Sequence, residues 1–158
     1  MRLFERRHKD FAGSWDDIKW SLHVADAAVD LRIPVEGSQG APCGWLVLSY
    51  RESDPLVLLL SVCSLQGNAI IERTQLRSDV RQALAKAGCL PGLSIGPSTA
   101  SGYTALVFQE GNVTLPVIVP SEPLHDFVRA TQDIVSMTAR AETEALSRAY
   151  HEAFSGRR

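Results

Sequence analysis

Two long stretches of this 158-residue chain have apolar side chains at alternating positions, and each is followed by a stretch with helical spacing. Alternation is typical of β-strands with one buried face, whereas apolar residues three and four positions apart indicate an amphipathic helix. The alternating stretches cover residues 18–74 and 93–119. The sequence therefore predicts an α+β fold with two sheets, each followed by a helix.

The parity of the alternation reverses once in the first stretch, around Asp26. A bulge or a tight turn is needed if both halves are to place their apolar side chains on the same face of a sheet. We therefore predict such a feature at Asp26. The two halves are defined by Ile18, Trp20, Leu22 and Val24, and by Val29, Leu31, Ile33 and Val35.

Three more strands are predicted at residues 44–50, 55–64 and 68–74. Short, turn-rich segments join them, so we expect antiparallel neighbours. Residues 56–60 are apolar at every position. This run predicts a central strand that is covered on both faces.

The two predicted helices differ in length. The first covers about residues 76–86 and ends before Gly88, a residue typical of helix C-termini. Further strands are expected at 93–96, 103–109 and 113–119. The second helix begins near Ser121, a favoured N-cap residue, and reaches about residue 154. It would be roughly 50 Å long, so its second half is expected to project or to pack on another chain.

The length and composition fit one self-sufficient domain, because a chain of this size buries roughly 70% of its unfolded surface. We predict a charged N-terminal lead at residues 1–15, containing a frayed or loosely docked helix, then a single domain at 16–137. A C-terminal helical extension follows at 138–158. The sparse apolar residues of that extension are expected to make oligomer contacts; they are Ala141, Ala145, Leu146 and Phe154.

The net charge of −2 disfavours nucleic-acid binding, which usually requires a strongly basic surface. The N-terminus lacks the apolar run of a signal peptide, and no run approaches the length needed to cross a bilayer. These features predict a cytoplasmic protein without membrane insertion. Cys43, Cys63 and Cys89 form no CxxC pair, so we expect three reduced thiols that pack as small hydrophobic side chains.

Motifs that would indicate an enzyme or a bound cofactor are missing from the sequence. The four histidines are scattered, the glycines follow no phosphate-binding order, and the acidic residues form no calcium loop. His23, between Leu22 and Val24, is expected on the opposite face of its strand, at the surface. We therefore predict no catalytic residues, no metal and no cofactor.

One pattern of charged residues could form a binding surface for another protein. Arg73, Arg77 and Arg81 recur every fourth residue, which would align them along one helix as a basic ridge. Such a ridge is either a solvated helix face or a docking surface for an acidic segment of another protein. The sequence leaves both interpretations open.

The segment from Tyr50 to Pro55, followed by an apolar strand, resembles the SsgA-like proteins of streptomycetes and related actinomycetes. These sporulation and cell-division proteins carry a similar turn, matched here by Tyr50, Asp54 and Pro55. The order of the downstream elements is also similar, including a Pro-led last helix with Leu124 and Phe127. The chain departs from the family pattern at residues 72–79, which form a plausible partner surface.

The resemblance implies a whirly-like fold in which three or four strands and a helix occur twice, assembled as a homo-oligomer such as a trimer. It also implies a non-enzymatic adaptor of septation that localises or activates the division protein FtsZ, or that binds another SsgA-like protein. The expected location is the cytoplasm, including division septa. The alternative is a single-stranded nucleic-acid-binding module with the same fold.

Overall fold

A computed structural model of the chain describes residues 4–7, 20–37 and 42–155. Within these residues the chain forms two antiparallel sheets, each followed by a helix. The predicted fold class is confirmed, although the sheets hold six and four strands. The first unit consists of β1 (Phe4–Arg7), β2 (Ser21–Ala25), β3 (Ala28–Glu36), β4 (Pro42–Arg51), β5 (Val57–Ser64), β6 (Ala69–Leu76) and α1 (Arg77–Lys86). The second consists of β7 (Gly88–Leu90), β8 (Leu93–Pro97), β9 (Tyr103–Glu110), β10 (Val113–Pro120) and α2 (Ser121–Ser155).

Each sheet is a simple meander. The strands of the first sheet lie in chain order from β1 to β6, and those of the second run from β7 to β10. Short connections explain this order, because a hairpin makes consecutive strands neighbours. The predicted turn at Asp26 is confirmed, since Ala25 pairs with Ala28 across a two-residue connection. Leu22 and Leu31 thereby lie opposite each other on the buried face.

The core lies between the inner face of the first sheet, the second sheet and the two helices. α2 packs on β2 and β3, α1 packs on β6, β7 and β8, and β10 also contacts β3. The buried side chains alternate along β3, β4, β8 and β9, as the period of two predicts. The largest that are fully buried include Tyr50, Phe108, Phe127, Leu31, Leu48, Leu58, Leu60 and Leu124.

Strand β5 is covered on one face only, which corrects the prediction from the apolar run at residues 56–60. The strand does lie inside the sheet, between β4 and β6. Leu58 and Leu60 are completely buried, but Leu59 between them is 38% exposed. The helices and the second sheet pack on the inner face, so Leu59 on the outer face reaches the surface, whereas the small side chain of Ser61 stays buried.

The ends of α1 differ from the prediction in detail. The helix begins at Arg77, which leaves Arg73 in strand β6. It ends at Lys86, as predicted, but the residue with a positive φ that follows it is the C-cap Ala87, at 60°, whereas Gly88 already belongs to the short strand β7. The sequence analysis did not identify β7, because three residues are too few to show a period.

The two ends of the chain bear on the predicted boundaries. Phe4–Arg7 pairs with β2 as strand β1, so the predicted N-terminal helix is wrong at these residues. Residues 1–3 and 8–19 lie outside the described part. At the other end, α2 spans 35 residues, about 52 Å, in agreement with the predicted long helix. α2 runs through residue 138, and the division between domain and extension at that point stays a prediction.

Replacing Leu58 and Leu59 separately tests the one-sided burial of β5. Leu58→Ala should lower the free energy of unfolding by about 2–5 kcal/mol, because it removes a fully buried side chain and leaves a cavity. Leu59→Ala should cost less than about 1 kcal/mol, since that side chain already contacts solvent. Urea denaturation of both variants measures the difference. Equal losses would contradict the arrangement of the sheet.

The backbone at Ala87 generates a second prediction. Ala87→Gly should raise the free energy of unfolding by about 0.5–1 kcal/mol, because relief of a positive φ outweighs the added chain entropy of glycine. The control Ala85→Gly, in the exposed last turn of α1, should lower it by about 1 kcal/mol. Thermal and urea unfolding would detect these opposite signs. A loss of stability in both variants would contradict the described end of α1.

Candidate functional site

The turn that carries the resemblance connects β4 to β5 and is held by backbone hydrogen bonds. The Asp54 amide donates to the Arg51 carbonyl at 3.0 Å, and the Glu52 amide donates to the Ala27 carbonyl at 2.8 Å. Pro55 is half-buried and Asp54 is exposed. The second bond ties this turn to the turn at Asp26, so the two hairpin ends form one rigid corner of the sheet.

Tyr50 lies at the end of β4 beneath this corner and is completely buried. It therefore serves as a core residue, and its ring offers no platform for stacking a nucleic-acid base. The corner also supports α1, because the Arg77 amide donates to the Leu56 carbonyl at 2.8 Å. Leu76, the residue before the helix, provides no side-chain cap. The turn thus positions the start of the helix that carries Arg77 and Arg81.

Arg73 does not share a ridge with the other two arginines, which corrects the predicted helical alignment. Its guanidinium donates to the Gln109 carbonyl at 2.5 Å and to the Glu72 carbonyl at 2.9 Å. Gly92 lies against the same side chain with a φ of 69°, and a Cβ at that position would collide with the guanidinium. Arg73 therefore joins the edge of the first sheet to the second sheet.

Arg77 and Arg81 converge on one side chain of α2. The Nη1 atoms of both arginines donate to Oε1 of Gln132, at 3.0 and 3.1 Å. Arg77 is partly buried and Arg81 is exposed. Burial lowers the pKa of Arg77, the charge of Arg81 lowers it further, and the Tyr50 phenol acts in the opposite direction. Two guanidinium groups therefore share one neutral acceptor.

The projecting part of α2 exposes an apolar stripe formed by Leu146, Tyr150 and Phe154. These side chains are 72%, 62% and 59% exposed, and their spacing of four residues places them on one helix face. The rings of Tyr150 and Phe154 lie 4.4 Å apart between centroids. Tyr150 was not among the predicted oligomer contacts, although the spacing between Leu146 and Phe154 could have identified it. The side chains of Ala141 and Ala145 lie outside the described part.

The outer face of the first sheet carries a second feature that the sequence analysis missed. The Arg32 guanidinium lies over the Trp45 ring, 4.1 Å from its centroid. The two residues belong to the neighbouring strands β3 and β4, on the side opposite the core. The alternation of both strands contains the signal, because Arg32 and Trp45 fall between buried positions. Sequence reasoning lacked the strand register that brings them together.

The histidine, cysteine and acidic side chains, for which the sequence predicts no catalytic or metal-binding role, are dispersed over the described part of the fold. Within the described ranges, no group of three His, Cys, Asp or Glu side chains could hold a metal ion. His23 is exposed, as predicted. Cys63 is half-buried, but Cys43 and Cys89 are exposed, so the prediction that all three thiols pack inside is wrong for two of them.

None of the helices in residues 77–155 is both long and apolar enough to span a bilayer.

A cleft lies where the end of α1 meets β9 and the start of α2. Lys86, Tyr103 and His125 line it. Thr104 and Ser121, also in the lining, are hydrogen-bonded to each other through their hydroxyl groups at 2.7 Å. This bond joins β9 to the first residue of α2 and fixes the direction in which the long helix leaves the domain.

Comparisons with known proteins show similarity in fold. Neither protein-family models nor curated proteins match the sequence. Among solved structures, an SsgA-like sporulation-specific cell division protein from Thermobifida fusca aligns with a TM-score of 0.57 and 13% identity, over 78% of this chain and 98% of the other. SsgB of Streptomyces coelicolor, mutations in which correlate with longitudinal cell division during sporulation, aligns with a TM-score of 0.55 and 14% identity, over 67% of this chain and 85% of the other. The chain therefore has the fold of these two proteins.

Proposed function

We propose that this chain is a non-enzymatic adaptor of sporulation-specific cell division, which localises or activates the FtsZ machinery through protein contacts. The observation that carries the proposal is the shared fold, which extends over nearly the whole of a sporulation-specific cell division protein. Since a fold can host several functions, the surfaces of this chain have to supply the contacts. Two surfaces support that role: the arginine pair of α1 and the exposed stripe of α2.

The stripe of α2 is suited to self-association. Apolar side chains that are more than half exposed and lie along one helix face are typical of an interface with another helix. The first half of α2 buries Leu124 and Phe127 in the domain, which leaves the second half free to reach a neighbour. We assign the predicted homo-oligomer, such as a trimer, to this half of the helix.

Recovery of partners from sporulating cells tests the adaptor role. The tagged chain should retain FtsZ, or another SsgA-like protein, at physiological salt, and deletion of its gene should disturb the spacing or number of septa. Immunoblotting and septum staining measure the two effects. The tagged Leu58→Ala variant, in which core packing is weakened, provides a control for adhesion of partly unfolded protein. Absence of any division protein together with normal septa would overturn the proposal.

Variants of the stripe test self-association. Truncation after Thr138, or the exchange Tyr150→Asp, should lower the mass per particle and leave the midpoint of unfolding of the domain nearly unchanged, because the side chains of residues 146–154 are exposed. Arg148→Gln lowers the net charge by the same amount from an exposed position on the opposite side of the helix, and should leave assembly intact. Light scattering measures the mass. A multimeric mass that is unchanged in the truncated chain would exclude this assignment.

A single-stranded nucleic-acid-binding function is the second candidate. The stacking of Arg32 on Trp45 supports it, because aromatic and guanidinium groups on an exposed sheet face can stack with bases. The net charge of −2 argues against an extended phosphate contact. Binding of an oligothymidylate that weakens steeply with salt would favour this candidate over the adaptor.

A further inference from the structure

The positive charges of the arginine pair of α1, Arg77 and Arg81, are not neutralised by an ion pair among the described residues. Both guanidiniums use the same neutral oxygen of Gln132 as acceptor. Other described arginines have different partners: Arg51 pairs with Asp30 at 2.8 Å, and Arg129 lies 3.6 Å from Asp126. Among the described residues, no carboxylate forms an ion pair with Arg77 or Arg81.

The geometry of the pair suits a carboxylate. Each Nη1 atom lies about one hydrogen-bond length from Oε1 of Gln132, so the two donors point at a common position. A carboxylate has two oxygens and a full charge, and its hydrogen bonds to guanidinium groups are stronger than those of an amide oxygen. Such a ligand would also relieve the repulsion between two like charges that are four residues apart on one helix.

The arginine pair is accessible to solvent on one side and is supported by the domain on the other. Arg81 is exposed, while Arg77 is partly buried next to Tyr50. The backbone of Arg77 is fixed by the turn that precedes β5, through the Leu56 carbonyl. The lowered pKa of Arg77 is consistent with a site where burial and a second cation oppose the positive charge. A ligand would therefore meet two donors whose positions are already set.

We propose that Arg77 and Arg81, together with Gln132, bind a carboxylate of an acidic peptide segment in the partner. This inference rests on the proposed adaptor function and specifies the chemistry of one docking surface. A peptide is favoured over nucleic acid because the site offers two adjacent guanidiniums on a chain of net charge −2, whereas nucleic acid requires a row of cations along its backbone. The contribution of Arg73 is structural, since it joins the two sheets.

Binding of a fluorescent hexaglutamate peptide, measured by anisotropy at low salt, tests the inference. The native chain should bind this peptide and should not bind hexaglutamine. Arg81→Gln should weaken binding at least about fivefold, the scale expected for loss of one charged partner. Arg32→Gln changes the net charge by the same amount on the outer face of the first sheet and should leave binding within about twofold of the native chain.

A second variant separates ligand binding from a structural role of the pair. Gln132→Glu places a carboxylate of the chain itself between the two guanidiniums. It should raise the midpoint of thermal unfolding and weaken hexaglutamate binding at least about fivefold, because the internal carboxylate occupies the site. Native-like binding by Gln132→Glu, or equal binding by Arg81→Gln and Arg32→Gln, would overturn the inference. Tighter binding of oligothymidylate than of hexaglutamate, lost in Arg81→Gln, would also overturn it and identify nucleic acid as the ligand.

The outcomes keep this inference distinct from the adaptor function. Loss of hexaglutamate binding in Arg81→Gln supports the site even if no division protein is recovered from cells, in which case only the adaptor function fails. Conversely, recovery of a division protein by the native chain, with hexaglutamate binding unaffected by Arg81→Gln, supports the adaptor function and removes the site.

Discussion

Burial of one face of the six-stranded sheet is the constraint on which the rest of the structure depends. Leu31, Leu48 and Leu60 from three neighbouring strands are fully buried, and Phe127 of α2 is buried in the same core. The area that these side chains remove from water is the main favourable term in folding. Because only one face is covered, the opposite face exposes Leu59 and the Arg32–Trp45 stack. The same arrangement that stabilises the domain therefore also defines its outer surface.

Polar contacts fix the relative positions of strands and helices that apolar packing alone would not specify. Arg73 and Gln75 of β6 donate to the Gln109 and Pro91 carbonyls of the second sheet, at 2.5 and 2.6 Å. The Leu56 carbonyl fixes the start of α1, and the hydroxyl pair of Thr104 and Ser121 fixes the start of α2. Hydrogen bonds of this kind contribute little net free energy but favour one geometry. They place the arginine pair and the apolar stripe on separate parts of the surface.

The two proposed contact surfaces differ in chemistry and are suited to different tasks. The stripe of α2 is apolar, lies near the C-terminal end of that helix and is exposed, so it can associate without disturbing the core. The arginine pair lies on the domain itself and presents charge, which favours selection of an acidic partner and its rate of association. A protein that self-associates through one surface and recruits a partner through the other has the properties expected of an adaptor.

Local sequence signals determined the order of strands and helices apart from β1 and β7, the turn at Asp26 and the length of α2, because periodicity and turn residues act over a few neighbouring positions. Features that depend on contacts between distant parts of the chain were decided only by the tertiary structure. The apolar run of β5 would have the same sequence whether one face of the strand or both were covered. The spacing of four residues between the arginines does not reveal that Arg73 lies in a strand and not in the helix. Likewise, the sharing of Gln132 by Arg77 and Arg81 depends on how α1 packs against α2, across more than 50 positions of sequence. These features arise from contacts between distant segments, which no local pattern encodes.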